Sequence, residues 1–309
     1  MNSTVEEVSG RALSEVFVKQ PRWMNLIRSP GKLLAWLFLA FITILFLTPL
    51  AWMVSTSLKG PFDLVGYNWI PTKLAWENYS AAFSFGMWPE WIFNTVVITV
   101  LSVIGQVLSS SLVAYSFARL RWHGRDTLFA VVLATMMLPS VVTLIPQFVI
   151  FAKLPAFGLQ GSKVWVNTFL PLIVPAWTGS AFYIFLLRQF MRTIPMELSE
   201  SAKIDGASEL RIWWSIIMPL TKPAWATVAI FTFQGAWQDF MGPLLYLQSE
   251  HKYTIQLGLR QFEAAAGGFP AWNWLMAASL VVMLPVLAVF LIFQRNFIEG
   301  ITLTGMGGR

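Results

Sequence analysis

Residues 188–220 read RQFMRTIPMELSESAKIDGASELRIWWSIIMPL, a polar run set between two long apolar ones. A connector between antiparallel helices needs only a few residues, so the polar stretch 188–211 must do more than turn the chain. Pro195 suits a first helical position, and Glu197 in the first turn complements the helix dipole. Gly206 can take the left-handed conformation that ends a helix. The pattern predicts a short helix from Pro195 to about Asp205. On it Leu198, Ala202 and Asp205 are spaced four and three apart and share a face, while Glu197, Glu200 and Lys203 project elsewhere. Such a helix could lie on a membrane surface. Its apolar side is small, however, and its charged face is acidic where an anionic leaflet favours basic groups. A helix that docks into a protein cleft fits better.

Outward from this loop, charge-free runs are long enough to cross about 30 Å of hydrocarbon at 1.5 Å per residue. They cover residues 33–58, 91–118, 127–152 and 164–187. A fifth runs from 212 to about 247 with Lys222 and Asp239 inside it, and a sixth covers 271–294. The fold class expected is therefore all-α, a polytopic membrane protein of about six transmembrane helices. Three regions follow: a segment 1–32, a six-span domain 33–295 that includes the loop 188–211, and a tail 296–309. The first 32 residues carry Arg11, Lys19, Arg22, Arg28 and Lys32 without an apolar run, unlike a cleaved signal peptide.

Six spans put both termini on one side. The segments expected on that side hold 14 Lys and Arg, and the opposite loops hold six: Lys59, Lys73, Lys153, Lys163, Lys252 and Arg260. The positive-inside rule makes the termini cytoplasmic. Composition agrees with a membrane class, at 56% hydrophobic and 12% charged residues with 16 Trp and 25 Phe. The net charge of +6 is explained by these loops and does not call for nucleic acid. Cysteine is absent, which excludes disulfides and thiolate catalysis, and with His123 and His251 as the two histidines no metal site is expected. No Ser-His-Asp set is apparent, so no catalytic residues are assigned.

Two outer segments, 59–90 and 248–270 with its AAAGG run, are long for turns. Trp69, Trp76, Trp88, Trp91, Trp272 and Trp274 flank the adjoining spans, as an interfacial aromatic belt does; stacking on a ligand is the alternative.

The polar loop also carries a family pattern. Glu200, Ser201 and Ala202 are followed after three residues by Gly206, and after nine more by Ile216, Ile217, Met218 and Pro219. This resembles the EAA loop of ABC importer permeases, with Ser201 for Ala and Met218 for Leu. The wider string PMELSESAKIDGA is similar to the carbohydrate-uptake branch that includes maltose-type permeases. AYSFARLRWHGRD, MMLPSVVTLIPQF, PLIVPAWTGSAFYIFLLRQFMRTIP, WQDFMGPLLYL and QRNFIEGITLTGMGGR look like members of that branch as well.

The resemblance implies a type I importer permease fold in the bacterial cytoplasmic membrane. It also implies a second homologous permease subunit, two cytoplasmic ATPase subunits, and an external sugar-binding protein. By the same resemblance Glu197, Glu200, Ser201, Ala202, Asp205 and Gly206 belong to the ATPase-coupling element; for Asp205 a local hydrogen bond at the helix end is the alternative. No phosphate-binding loop occurs in this chain, so ATP and Mg would be used by the partner ATPase and no cofactor is expected here. Within the fifth span, Pro219 and Pro223 should bend the helix. Gln234, Trp237, Gln238 and Asp239 are candidates for a sugar pathway, because amides, a carboxylate and an aromatic face suit a neutral sugar. Helix–helix hydrogen bonding is the competing use. Asn94, Gln106, Gln147 and Asn167 are weaker candidates for the same lining. A secondary transporter driven by an ion gradient is the alternative function, but it would leave the docking loop unexplained.

Overall fold

The computed structural model describes residues 30–64, 68–265 and 271–305. The segment 1–29, most of the AAAGG run and the last four residues therefore lie outside the described residues. The chain divides into two compact units, one ending at Leu74 and one beginning at Ala75.

In the first unit, α1 (Pro30–Ser57) carries no charge after Lys32 and is mostly apolar, as suits a segment surrounded by lipid. The turn after it is held by polar contacts. The Lys59 ammonium lies 4.0 Å from the Trp52 ring centre, and Trp69 meets Trp52 edge-on at 4.9 Å. The Thr72 hydroxyl donates to Asp63 at 2.7 Å.

The second unit contains α2 (Glu77–Ser84), α3 (Trp88–Arg119), α4 (Arg125–Thr135), α5 (Ser140–Phe151), α6 (Leu170–Ile173) and α7 (Ala181–Thr193). It continues with α8 (Glu197–Ile204), α9 (Glu209–Ile212), α10 (Met218–Leu220), α11 (Lys222–Trp237), α12 (Met241–Tyr246), α13 (Ile255–Ala265) and α14 (Trp272–Gly305). No strand occurs among the described residues beyond one isolated bridge, Pro155 to Val164. The protein is all-α.

Helix α3 is the axis of this unit and packs against α7, α11 and the turn Val174–Thr178. Its buried side is built from small and polar groups, including Thr95, Thr99, Ser102, Gly105, Ser110 and Ala114, while Ile92, Phe93, Val96, Val100 and Ile104 are exposed. That is the pattern of a membrane helix, in which lipid takes the large apolar groups and small residues let neighbouring backbones approach. Gly105 shows why: a Cβ there would lie 2.4 Å from the Trp177 ring.

Residues 31–57, 88–119, 170–193 and 272–293 are long and apolar enough to cross a membrane, and two bent pairs of helices bring the total to as many as six. The expected third span, 127–152, is not continuous: α4 and α5 meet at 99°. Pro139 stands just before α5 in extended conformation; it lacks an N–H and disfavours helix in the residue before it. The expected fourth span begins later, at Leu170 rather than 164, and ends later, at Thr193. Asn167 has φ +63, which breaks any helix there, and charge does not end α7 because Arg188 is accommodated. Its guanidinium stacks 4.0 Å from the Phe129 ring centre and its Nε donates to the Phe117 carbonyl at 3.3 Å. The fifth span bends by 83° after Leu220, beside Pro219 and Pro223 as expected, and the preceding Trp213–Ile217 winds as a π-helix.

Candidate functional site

The polar loop forms the short helix anticipated from its sequence, beginning two residues later, at Glu197. Ile194 is extended, with ψ 133°, as a residue before proline tends to be. Met196 rather than Pro195 then stands at the helix entrance. The strap between α7 and α8 is gripped from α3 by Arg119, which donates to the carbonyls of Ile194 at 2.8 Å and Pro195 at 3.3 Å and reaches Met196 Sδ at 2.9 Å.

At its other end α8 closes on Gly206, with φ +79°. The Gly206 N–H donates to the Lys203 carbonyl at 3.0 Å and the Ala207 N–H to the Ala202 carbonyl at 2.9 Å. This paired arrangement satisfies the last carbonyls of a helix and requires a left-handed residue. A Cβ on Gly206 would meet nothing within 4 Å, so glycine is required there for its backbone and not for space. Ser208 then opens α9, its Oγ accepting from the Arg211 N–H at 3.4 Å.

The face of α8 turned to the chain's own core is Ser199 and Ala202, and Ala202 packs in the cluster that contains Tyr115, Met191 and Ile212. This corrects the expected grouping of Leu198, Ala202 and Asp205. Leu198 and Asp205 are exposed together with Glu197, Glu200, Ser201 and Lys203, and Ile204 is 87% exposed. Ala202 fixes the helix inward because its small side chain fits against α3 and α9.

Two contacts unforeseen from the sequence frame this helix. The Tyr115 hydroxyl of α3 donates to Glu209 Oε2 at 2.6 Å, and the Lys203 ammonium lies 2.6 Å from Glu209 Oε1. Between the end of α3 and α8 runs a groove of about 480 Å³, lined by Tyr115, Arg119, Arg121, Trp122, Glu200, Lys203 and Glu209 among others. The signal for these residues was Tyr115 and Arg119, one turn apart in the last turns of α3.

The four pathway candidates separate. Gln234 and Gln238 are exposed, one turn apart at the end of α11. Trp237 turns the other way and is buried, its Nε1 donating to the Val282 carbonyl at 3.1 Å. Asp239 accepts from the Gly242 N–H at 3.0 Å, shaping the entry to α12. There a Cβ on Gly242 would come within 2.4 Å of the Asp239 carboxylate. A cavity of about 380 Å³ beside Trp237 and Gln238 is completed by Gln256 of α13 and Ser279 of α14.

Of the weaker candidates, three serve the fold. Asn94 donates to the carbonyls of His251 and Tyr253 at 2.9 and 3.0 Å. Gln106 donates to Ser110 Oγ at 2.6 Å. Asn167 Oδ1 accepts the N–H groups of Gln248 and Ser249, both at 3.1 Å. Gln147 is exposed. The aromatic flanks divide likewise. Trp69, Trp76 and Trp272 are exposed, but Trp88 and Trp91 are buried in a core with Phe262 and Ile255, so they form no belt.

In the outer segment Lys252 is buried and bonds through Nζ to the carbonyls of Gln160 and Asn167, both at 2.7 Å. Burial holds its ammonium below the usual lysine range. Among the described residues no three His, Asp or Glu side chains gather as a metal site.

The model of the binding-protein-dependent transport system inner membrane component family matches residues 106–302, which include the whole α8 region and its frame. The chain belongs to this family. The permease is 31% identical over 277 residues to the arabinooligosaccharides transport system permease protein of Bacillus subtilis (strain 168), covering 88% of this chain and 94% of that protein. It is 31% identical to the galactooligosaccharides transport system permease protein of the same organism, covering 92% and 99%. Identity to the trehalose/maltose transport system permease protein of Thermococcus litoralis is 29%, over 86% and 94%. Its fold matches a chain of a bacterial ABC transporter involved in the import of alginate, with TM-score 0.75 at 21% identity over 91% of the permease and 99% of that chain. The permease is thus a multi-pass membrane transport component with the fold of an ABC importer permease, and the ion-gradient alternative is set aside.

Proposed function

We propose that this permease forms half of the membrane pathway of an ATP-driven importer for neutral di- or oligosaccharides. The similarity to permeases named for oligosaccharide transport supports the substrate class. The observation that carries the coupling role is the presentation of α8, whose outer surface of Glu197, Glu200, Ser201 and Ile204 is free of the chain's own core while both of its ends are held. A helix presented in this way can enter a cleft of a partner ATPase and transmit its movement.

In this reading α8, Asp205 and Gly206 face the cytoplasm, as do both termini, in agreement with the distribution of Lys and Arg. ATP and Mg act on two partner ATPase subunits. A second, homologous permease subunit completes the pathway along the open face of Gln234 and Gln238, whose amides can exchange hydrogen bonds with sugar hydroxyls. The outer segments 59–90 and 248–270 offer contacts to an extracytoplasmic binding protein that delivers the sugar.

The test is to purify the permease with the subunits that co-assemble and to measure ATP hydrolysis with binding protein and a panel of sugars. Stimulation by one oligosaccharide class is expected. Failure of any ATPase to copurify would overturn the proposal.

A further inference from the structure

Around the turn between α3 and α4 a cavity of about 460 Å³ is lined by Arg121, Trp122, His123, Arg125 and Asp126, among others. The one carboxylate among the residues lining this cavity is Asp126, engaged by Arg125 Nε at 2.9 Å. Arg188 and Arg192 of α7 also feel the Asp126 charge, and Arg188 feels the like charges of Arg125 and Arg192. The cavity wall thus holds two guanidinium groups, Arg121 and Arg125, to one carboxylate, with Arg188 and Arg192 near enough to add to the positive field. An anion bound among these like charges would lower their mutual repulsion.

The position of the cluster indicates the anion. It lies where the spans α3 and α7 end and α4 begins. From the cavity α4 continues with Leu128 and Val131 one turn apart and 48% and 55% exposed. A ligand that fits both parts is anionic at one end and apolar at the other. Guanidinium groups bind phosphate in bidentate fashion, and Trp122, 38% exposed, is a residue type favoured at the level of lipid headgroups.

We propose that this basic cavity holds the phosphate headgroup of an anionic phospholipid whose acyl chains lie along α4. The lipid serves as a bound counter-ion that fixes the α3, α4 and α7 ends at the membrane surface.

The test uses the assembled transporter in detergent, with phosphatidylglycerol or phosphatidylcholine added and retained lipid counted by native mass spectrometry. Phosphatidylglycerol should be retained selectively. R121Q and R192Q, both at exposed positions, should each weaken its retention about fivefold, and K163Q, an equal charge change in the loop after α5, should not. Equal retention of both lipids, or equal behaviour of the three variants, would overturn the proposal. Displacement of the lipid by inorganic phosphate at comparable concentration would overturn it as well, by reassigning the cavity to a soluble anion.

Discussion

The Tyr115 hydroxyl donates to Glu209 Oε2 at 2.6 Å, and through Glu209 the long helix α3 is joined to Lys203 of α8. Tyr115 is 2% exposed, so its bond to a carboxylate is shielded on one side. Tyr115→Phe should lower stability by about 1.5 kcal/mol, measured as the midpoint of thermal unfolding in detergent. Sugar uptake should fall further than the loss of folded protein accounts for. Glu209→Gln keeps an acceptor for the hydroxyl and loses the ion pair to Lys203, which is exposed and worth little, so its effect should be the smaller.

Gly206 supplies the left-handed turn that ends α8. Gly206→Ala should cost about 1 to 2 kcal/mol because only the backbone conformation opposes it, and transport should be reduced but measurable. Gly206→Pro fixes φ near −65° and removes the N–H that bonds the Lys203 carbonyl. Transport should then be abolished while the amount of chain in the membrane, read by immunoblot, is unchanged. Full activity of the proline variant would contradict the docking role of α8.

Glu200 is exposed at the edge of the groove between α3 and α8. Glu200→Lys reverses a charge that touches none of the chain's own core, so membrane insertion and thermal stability should be unaltered. Sugar-stimulated ATP hydrolysis should nevertheless be lost. Copurification of the ATPase at the wild-type level with normal stimulation would show that Glu200 takes no part.

Gln234 and Gln238 face outward while Trp237 faces the core. Gln234→Ala and Gln238→Ala should weaken uptake without shifting the unfolding midpoint. Trp237→Phe should do the reverse in part, lowering the midpoint through loss of its bond to the Val282 carbonyl, by about 1 kcal/mol. Uptake kinetics beside unfolding curves of the three variants separate pathway from packing.

Trp91 is enclosed by glycine backbone: a Cβ at Gly258 would lie 2.3 Å from its ring, and one at Gly86 2.4 Å. Gly258→Ala should destabilise by about 1 to 3 kcal/mol through overpacking. The expected readout is a lower unfolding midpoint and less assembled complex.

Much of the fold was legible because lipid imposes a simple rule, that spans lack charge and loops collect it. The rule located α1, α3 and α14, while Pro195, Glu197 and Gly206 marked the short helix between Pro195 and Asp205. It failed where a charge is tolerated or a backbone is broken inside an apolar run. Arg188 stacks on Phe129 and lets α7 run past it, and Pro139 divides an uncharged stretch that hydropathy alone reads as one helix. In the site, spacing on a helical wheel grouped Ala202 with Leu198 and Asp205. The inward direction of α8 depends on Tyr115, Met191 and Ile212, which come from three other helices. For the pathway residues, sequence supplied the chemistry, while the burial of Trp237 beside exposed Gln238 depends on α14, whose Val282 carbonyl takes the indole N–H.

The grip of Arg119 on the strap before α8 has a mechanical consequence. A loop with unengaged carbonyls bends when pushed and dissipates the displacement as local rearrangement. Here the carbonyls of Ile194 and Pro195 are fastened to the last residue of α3, so the linkage has low compliance on its entry side. In the proposed docking role of α8, a displacement of that helix would therefore reach α3 through Arg119 rather than being absorbed in the strap.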